Sequence, residues 1–294
     1  MSKFCSTRYS MLIAVLGAVA SVPASADVFF KDGFETGGFS HSENGVSWNS
    51  PEKVTVVSDR ASEGSRAAKF HFIGSSDLAA DAWAELRFAL PTNRNEIWIK
   101  YDMYIPSNYY HREASGASNN KGLIMLWGGN YGSMTTQSAI SFWPSFSSSR
   151  PGQSMMCADI KTNGGESTHY CQQSNLPDKG VTAATETIAI NPNTDGGKWH
   201  TFIIHYKLSD VNTSNGILQL WKDGTKIWDT NNVSNHAAST GNNYFNNGYI
   251  LGWSNSGFNV DTDIYLDNVF FADTAADLNV SSLAPSPPTD AKAN

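Results

Sequence analysis

The chain has 294 residues, of which 24 are glycine, 12% are aromatic and 16% are charged, and its net charge is −7 at neutral pH. An acidic chain is a poor partner for a nucleic-acid backbone or an anionic membrane surface. Beyond the amino terminus no segment approaches the roughly 18 apolar residues of a spanning helix, and long Ala/Leu/Glu/Lys stretches are absent, which leaves an all-β domain as the expected class.

The first element is a predicted secretory signal. Lys3 and Arg8 precede the apolar run MLIAVLGAVA (Met11–Ala20), which is too short to cross a bilayer. Ala24-Ser25-Ala26 then supplies the small-x-small pattern that signal peptidase accepts. Residues 1–26 are therefore read as a signal peptide, the mature protein as starting near Asp27, and the destination as secreted or periplasmic. The signal holds two of the 20 basic residues and none of the 27 acidic ones, so its removal takes the net charge from −7 to −9.

From Asp27 to Asp273 the chain reads as one domain without internal repeats. Strand signals recur at short spacing, separated by Gly, Asn, Asp or Pro. They fall at Val54–Val57, Ala67–Phe72, Ala82–Phe88, Glu96–Ile105, Lys121–Trp127, Ala139–Phe146, His200–Leu208, Ile217–Lys222, Thr225–Trp228, Tyr249–Trp253 and Asp263–Phe271. This spacing suggests a sandwich of antiparallel sheets. Asp223-Gly224, between ILQLWK and TKIW, is a two-residue hairpin turn.

An oxidising destination makes cysteine pairing relevant. Cys5 leaves with the signal, and Cys157 and Cys171 remain. The intervening segment reads as a hairpin: MMCADIK, a turn at Thr162–Glu166 containing Asn163-Gly164-Gly165, then STHYCQQ. A disulfide between Cys157 and Cys171 sets Asp159 opposite His169. Residues 274–294 contain three Pro and few large apolar side chains, and are expected to be a disordered tail.

Period-two alternation assigns faces within the strands. In Glu96–Ile105, Ile97, Ile99, Tyr101, Met103 and Ile105 share one face and Trp98, Lys100, Asp102 and Tyr104 the other. In the strand TFIIHYKL, Phe202, Ile204, Tyr206 and Leu208 form the core face. His205 and Lys207 look outward, toward a groove if this strand belongs to the sheet that forms one. The first and last strands of sandwiches often pair, which would bring Asp32, Glu35 and Asp267 into range of one another. Carboxylates converging without basic partners suit a hard cation such as Ca²⁺.

Three stretches, DGFETGGFS, EIWIKYDMYIPSNY and WHTFIIHYKL…GILQLWKDGTKIW…IYLDNVFFAD, resemble the heparin-lyase-like and alginate-lyase-like polysaccharide lyases. These belong to the concanavalin-A-like jelly-roll class, so the resemblance implies an all-β jelly-roll sandwich of two antiparallel sheets. NNKGLIMLWGG (Asn119–Gly129) resembles a lyase stretch whose Lys acts in catalysis, which implies Lys121. WAELRF resembles an Arg-x-Glu-Leu motif, with Trp83 where that Arg would stand and Arg87 on the same strand face. The tyrosine such lyases use as proton donor has no counterpart by motif.

The implied reaction is β-elimination from a uronate polymer. It needs a neutraliser for the sugar carboxylate, a base for the adjacent C–H, and an acid for the departing oxygen. Lys121, Arg87, His169 and His205 are the candidate catalytic residues. His169 competes with its hairpin neighbours, since Tyr170 and Gln172 occupy the opposite side; the side bearing His169 and Asp159 is preferred. Trp127, Trp143, Tyr101 and Trp253 are candidates to stack on sugar rings, with Lys207 on the outward strand face and Arg112 in the polar loop Tyr109–Asn120 as further contacts. No Gly-x-Ser-x-Gly elbow, zinc-spaced His/Cys cluster, phosphate loop or paired-carboxylate glycosidase strand is present. The reading is thus a secreted, monomeric polysaccharide lyase, with a noncatalytic carbohydrate-binding domain of the same fold as the alternative.

Overall fold

A computed structural model describes residues 28–40, 47–112, 121–129, 139–146, 150–161, 167–170, 187–234 and 244–278. The signal segment, Cys171, Gln172 and residues 279–294 lie outside the described residues. The strands are β1 (Val28–Asp32), β2 (Ser47–Glu52), β3 (Val54–Val57), β4 (Ala67–Phe72), β5 (Ala82–Arg94), β6 (Glu96–Ile105), β7 (Ile124–Trp127), β8 (Ala139–Phe142), β9 (Ser145–Phe146), β10 (Ser154–Met155), β11 (Ala158–Lys161), β12 (Ser167–Tyr170), β13 (Ile188–Ile190), β14 (Lys198–Lys207), β15 (Gly216–Lys222), β16 (Thr225–Val233), β17 (Phe245–Ser254) and β18 (Thr262–Ala272).

Two antiparallel sheets form the jelly-roll sandwich. The first is 8-stranded, ordered β16-β15-β14-β6-β18-β4-β3, with β1 also pairing β18. The second is 7-stranded, ordered β12-β11-β8-β7-β17-β5-β2. A 3-stranded sheet of β13, β10 and β9 lies beside them. The polar segment of β2, SWNSPE, and the short β13 carry no apolar alternation, which is why only the tertiary pairing reveals them.

The core is built from the alternating apolar positions. Ile97, Ile99, Tyr101, Met103 and Ile105 of β6 and Phe202, Ile204 and Tyr206 of β14 meet Leu86, Phe88, Ile124, Phe142 and Ile250 of the facing sheet in one buried cluster. Burial of this many large side chains supplies the main driving force, at roughly 25 cal/mol per Å² removed from water. Tyr101 is fully buried and stacks on Phe202 at 5.9 Å. It is core and does not face solvent, which corrects its expected role as a sugar platform; burial pushes its phenol well above the usual range.

β1 pairs with β18, so the first and last strands meet as expected, with Phe30 opposite Phe271 and Asp32 opposite Val269. The hairpin β15–β16 turns on Asp223 (φ 49°) and Gly224 (φ 76°), the doubly left-handed geometry that favours Asp-Gly. β11 and β12 pair with Asp159 opposite His169, the register expected from the cysteine hairpin. Cys157 is buried at the end of this ladder.

The ordered chain continues past Asp273, where a tail was expected. Ala275–Leu278 form a 3-10 turn, and Leu278 packs with Ile203, Trp221 and Ala272 on the outer side of the 8-stranded sheet.

Candidate active site

One row of residues crosses the 7-stranded sheet. Asn49, Arg87, Tyr249, Met125, Ser141, Asp159 and His169 follow one another in register through β2, β5, β17, β7, β8, β11 and β12. The neighbouring row, through Leu86, Ile250, Ile124, Phe142 and Ala158, is buried in the core. Period-two alternation therefore turns the Arg87–Tyr249 row to the outer face of this sheet.

Arg87 and Tyr249 are direct cross-strand partners. The Arg87 side chain is 32% exposed, and both its Nε and Nη2 reach Glu85 Oε1 at 2.5 Å. Glu85, only 5% exposed, thus holds the guanidinium along the strand. Tyr249 packs with Met125 and Trp127 in a small cluster on the same face. Its ring needs Gly252, whose φ is 89°: a Cβ there would lie 2.5 Å from Tyr249 Cε2. Tyr249 is a phenol that motif comparison did not locate, and the signal that finds it is its register with Arg87.

Trp83 and Trp253 occupy the same sheet near its end, opposite each other in the β5–β17 ladder. Trp127 belongs to it through β7, and Trp143 directly follows β8. Trp127 is 3% exposed and packed against Tyr249, so it supports the tyrosine and offers little open ring. Trp143 donates from Nε1 to Ser141 Oγ and packs on Met155 and Cys157.

Several expected site residues lie elsewhere. His205 and Lys207 face outward from β14, which belongs to the other sheet, so the core separates them from Arg87. His205 stacks on Trp98 at 3.9 Å, its Nε2 is 2.7 Å from Glu96 and its Nδ1 2.8 Å from Gln219. Lys207 pairs with Glu96 at 3.7 Å. Both are engaged by partners within their own sheet and cannot share a groove with Arg87. His169 is in the Arg87 row, but five strand steps away, roughly 24 Å at the ~4.8 Å spacing of neighbouring strands. The two cannot act on one bond.

Lys121 is 5% exposed and points to the end of the core. Its Nζ donates to the Asn255 carbonyl at 2.8 Å and lies over the Phe258 ring. Desolvation, with a smaller push from the Arg112 charge and against the opposing charge of Asp81, lowers its pKa to about 7. Arg112 is 2% exposed and donates to the carbonyls of Ser256, Ser75, Asp77 and Ala80. Both are structural cations, because an extended side chain next to a turn with unpaired carbonyls is drawn inward to satisfy them.

The three carboxylates expected to clasp a cation do not converge. Asp32 is buried and accepts from Phe34 N and Trp48 Nε1. Glu35 accepts from Ser65 N, Ser65 Oγ and Arg66 N. Asp267 accepts from Ser62 N, Glu63 N and Asn268 N. Glu35 and Asp267 are both taken by the loop between β3 and β4, at different backbone N–H groups, while Asp32 is taken by its own turn and by Trp48. Among the described residues no group of three His, Cys, Asp or Glu side chains is arranged to hold a metal.

A two-sheet jelly roll with an arginine, a tyrosine and exposed tryptophans on one sheet face has the architecture and surface of a carbohydrate-active protein. The chain belongs to the polysaccharide lyase family, whose profile matches residues 34–270. It is a polysaccharide lyase. The fold is similar to that of the endo-β-1,4-glucuronan lyase of the fungus Trichoderma reesei, at TM-score 0.54 and 13% identity over 86% of this chain and 98% of that one. It is also similar to a mutant of the alginate lyase Aly36B in complex with alginate tetrasaccharide, at TM-score 0.50 and 12% identity over 78% of this chain and 87% of that one. No curated protein sequence matches the chain.

Proposed function

We propose that this chain cleaves a uronate-containing polysaccharide by β-elimination on the outer face of the 7-stranded sheet, with Arg87 and Tyr249 at the centre. The observation that supports this is the direct pairing of Arg87 with Tyr249 in the β5–β17 ladder. Arg87 is a neutraliser for the uronate carboxylate: its guanidinium side chain is 32% exposed, and a planar fork suits a carboxylate. Neutralising that group makes the C5 hydrogen acidic.

Tyr249 is the proton-transfer group. As phenolate it accepts the C5 proton; the C–H electron pair becomes the C4–C5 double bond, and the C4–O bond breaks. The same phenol then returns the proton to the departing oxygen, so the site ends as it began. The amino-terminal pattern of Lys3, Arg8, the apolar run and Ala24-Ser25-Ala26 supports export as part of the same reading, since a polysaccharide lyase meets its polymer outside the cell.

The test is incubation with alginate, glucuronan, ulvan, heparin and pectin while the absorbance of the unsaturated uronate product is followed. One or more polymers should give a rising signal that Tyr249→Phe abolishes. Flat traces on every polymer, or an unimpaired Tyr249→Phe, sink the proposal.

A further inference from the structure

Trp83 and Trp253 stand in water as a stacked pair. Their ring centroids are 5.5 Å apart and their planes differ by 7°. They are 37% and 42% exposed, unlike most large apolar side chains of the domain. Lys53 Nζ lies 3.8 Å from the Trp83 ring centroid. β5 runs between β2 and β17, and Lys53 directly follows β2. The ammonium therefore covers the Trp83 face turned away from Trp253, and the order across the sheet is Lys53, Trp83, Trp253.

Trp253 is 42% exposed, and among the described residues no ring other than Trp83 and no cation is placed against it. Flat apolar surface kept exposed in this way marks a contact site. It lies four residues along β5 from Arg87, ~13 Å at the rise of a strand. A group at that distance cannot touch the bond being broken.

We propose that Lys53, Trp83 and Trp253 form a holding subsite, distinct from Arg87 and Tyr249, that takes one pyranose ring of the polymer by its apolar C–H face on Trp253. This rests on the reading that the polymer lies along this sheet face. The indole face and the axial C–H groups of a pyranose are complementary in shape and in electrostatics. Lys53 is a positioning residue: its charge is spent on the back of Trp83, with two rings between it and the sugar. The subsite reads ring shape and not carboxylate charge. Its contribution is equal before and at the transition state, so it governs KM for long chains and leaves kcat alone.

The test uses the full chain with Trp253→Ala, Trp253→Phe and Lys53→Met. Kinetics are measured on the polymer and on an oligosaccharide too short to reach from Arg87 to Trp253. Trp253→Ala should raise KM for the polymer about tenfold, the loss of one stacking contact, with kcat and the short substrate unchanged. Trp253→Phe should recover part of that loss, and Lys53→Met should fall between wild type and Trp253→Ala. Affinity electrophoresis through gels containing glucuronan or alginate needs no turnover. There, wild type should be retarded, Trp253→Ala less so, and the difference should persist at high salt. An unchanged KM and retardation in Trp253→Ala, equal kcat losses on both substrates, or a wild type that no polymer retards each overturn the subsite. Normal cleavage with unchanged KM in Trp253→Ala overturns the subsite alone and leaves Arg87 and Tyr249 standing. Retardation without cleavage does the reverse.

Discussion

Lys121 and Arg112 donate to the consecutive carbonyls of Asn255 and Ser256. The turn they pin follows directly on Trp253; within it Ser256 has φ 58° and its N–H is taken by Asp81 at 2.8 Å. Two buried cations of like charge are tolerated there because each replaces water at backbone oxygens that would otherwise be unsatisfied. Residues whose types suggest substrate contact instead hold the strand end that presents Trp253.

The depressed pKa of Lys121, about 7, makes stability pH-dependent in a defined direction. In the unfolded chain a lysine keeps its proton to roughly pH 10.4. Between about pH 7 and pH 10 the unfolded state therefore binds more protons at this site, and its contribution to unfolding free energy rises with pH. Urea unfolding of wild type and Lys121→Met across that window should give a difference that moves in favour of wild type as pH rises, by a few kcal/mol at most. A difference that stays flat removes the buried-amine explanation.

Glu96 carries the opposite dependence. The hydrogen bond from His205 holds its carboxyl below the ordinary 4.5, with smaller help from Lys207, against the opposing effect of burial. A lowered carboxyl contributes stability that is present above its unfolded pKa and lost as pH falls through the folded one. Glu96→Gln keeps an oxygen toward His205 and removes the charge, so its melting temperature should fall less steeply than that of wild type below about pH 4.5. Because the Glu96 side chain is 36% exposed, solvent screening limits the effect to about 0.5 kcal/mol. Parallel acid profiles for the two proteins contradict the assignment.

Arg87 has two separable roles. Arg87→Ala should lower kcat/KM on the uronate polymer by at least about a hundredfold, the cost of losing a charge-stabilising donor. It should also destabilise the fold, because Glu85 is then left buried without the guanidinium. Adding Glu85→Gln to Arg87→Ala should restore most of the melting temperature and none of the activity. Restored activity in the double variant would assign Arg87 to structure alone.

Much of the architecture was legible in the residues. The meeting of the chain ends was expected from the habit of sandwiches, and the opposition of Asp159 and His169 from pairing the two cysteines across a hairpin; the Asp223-Gly224 turn and the core face of β14 with Tyr206 follow from local turn chemistry and period-two alternation. Those rules act between neighbours in the chain and need no knowledge of the rest of the fold. The cation clasp failed because Asp32, Glu35 and Asp267 each meet a different set of backbone N–H donors, and which loop reaches which carboxylate is a long-range outcome.

The sequence by itself determined an all-β sandwich and which side chains on each strand turn away from the core. Only the tertiary structure decided which sheet each strand joined. Alternation carries the same signature in both sheets, so His205 and Arg87 look alike as outward residues, yet the core lies between them. Pairing across strands brought Tyr249 to Arg87 and Trp253 to Trp83, and those contacts between distant segments are where the catalytic face, and the tyrosine no motif located, came into view.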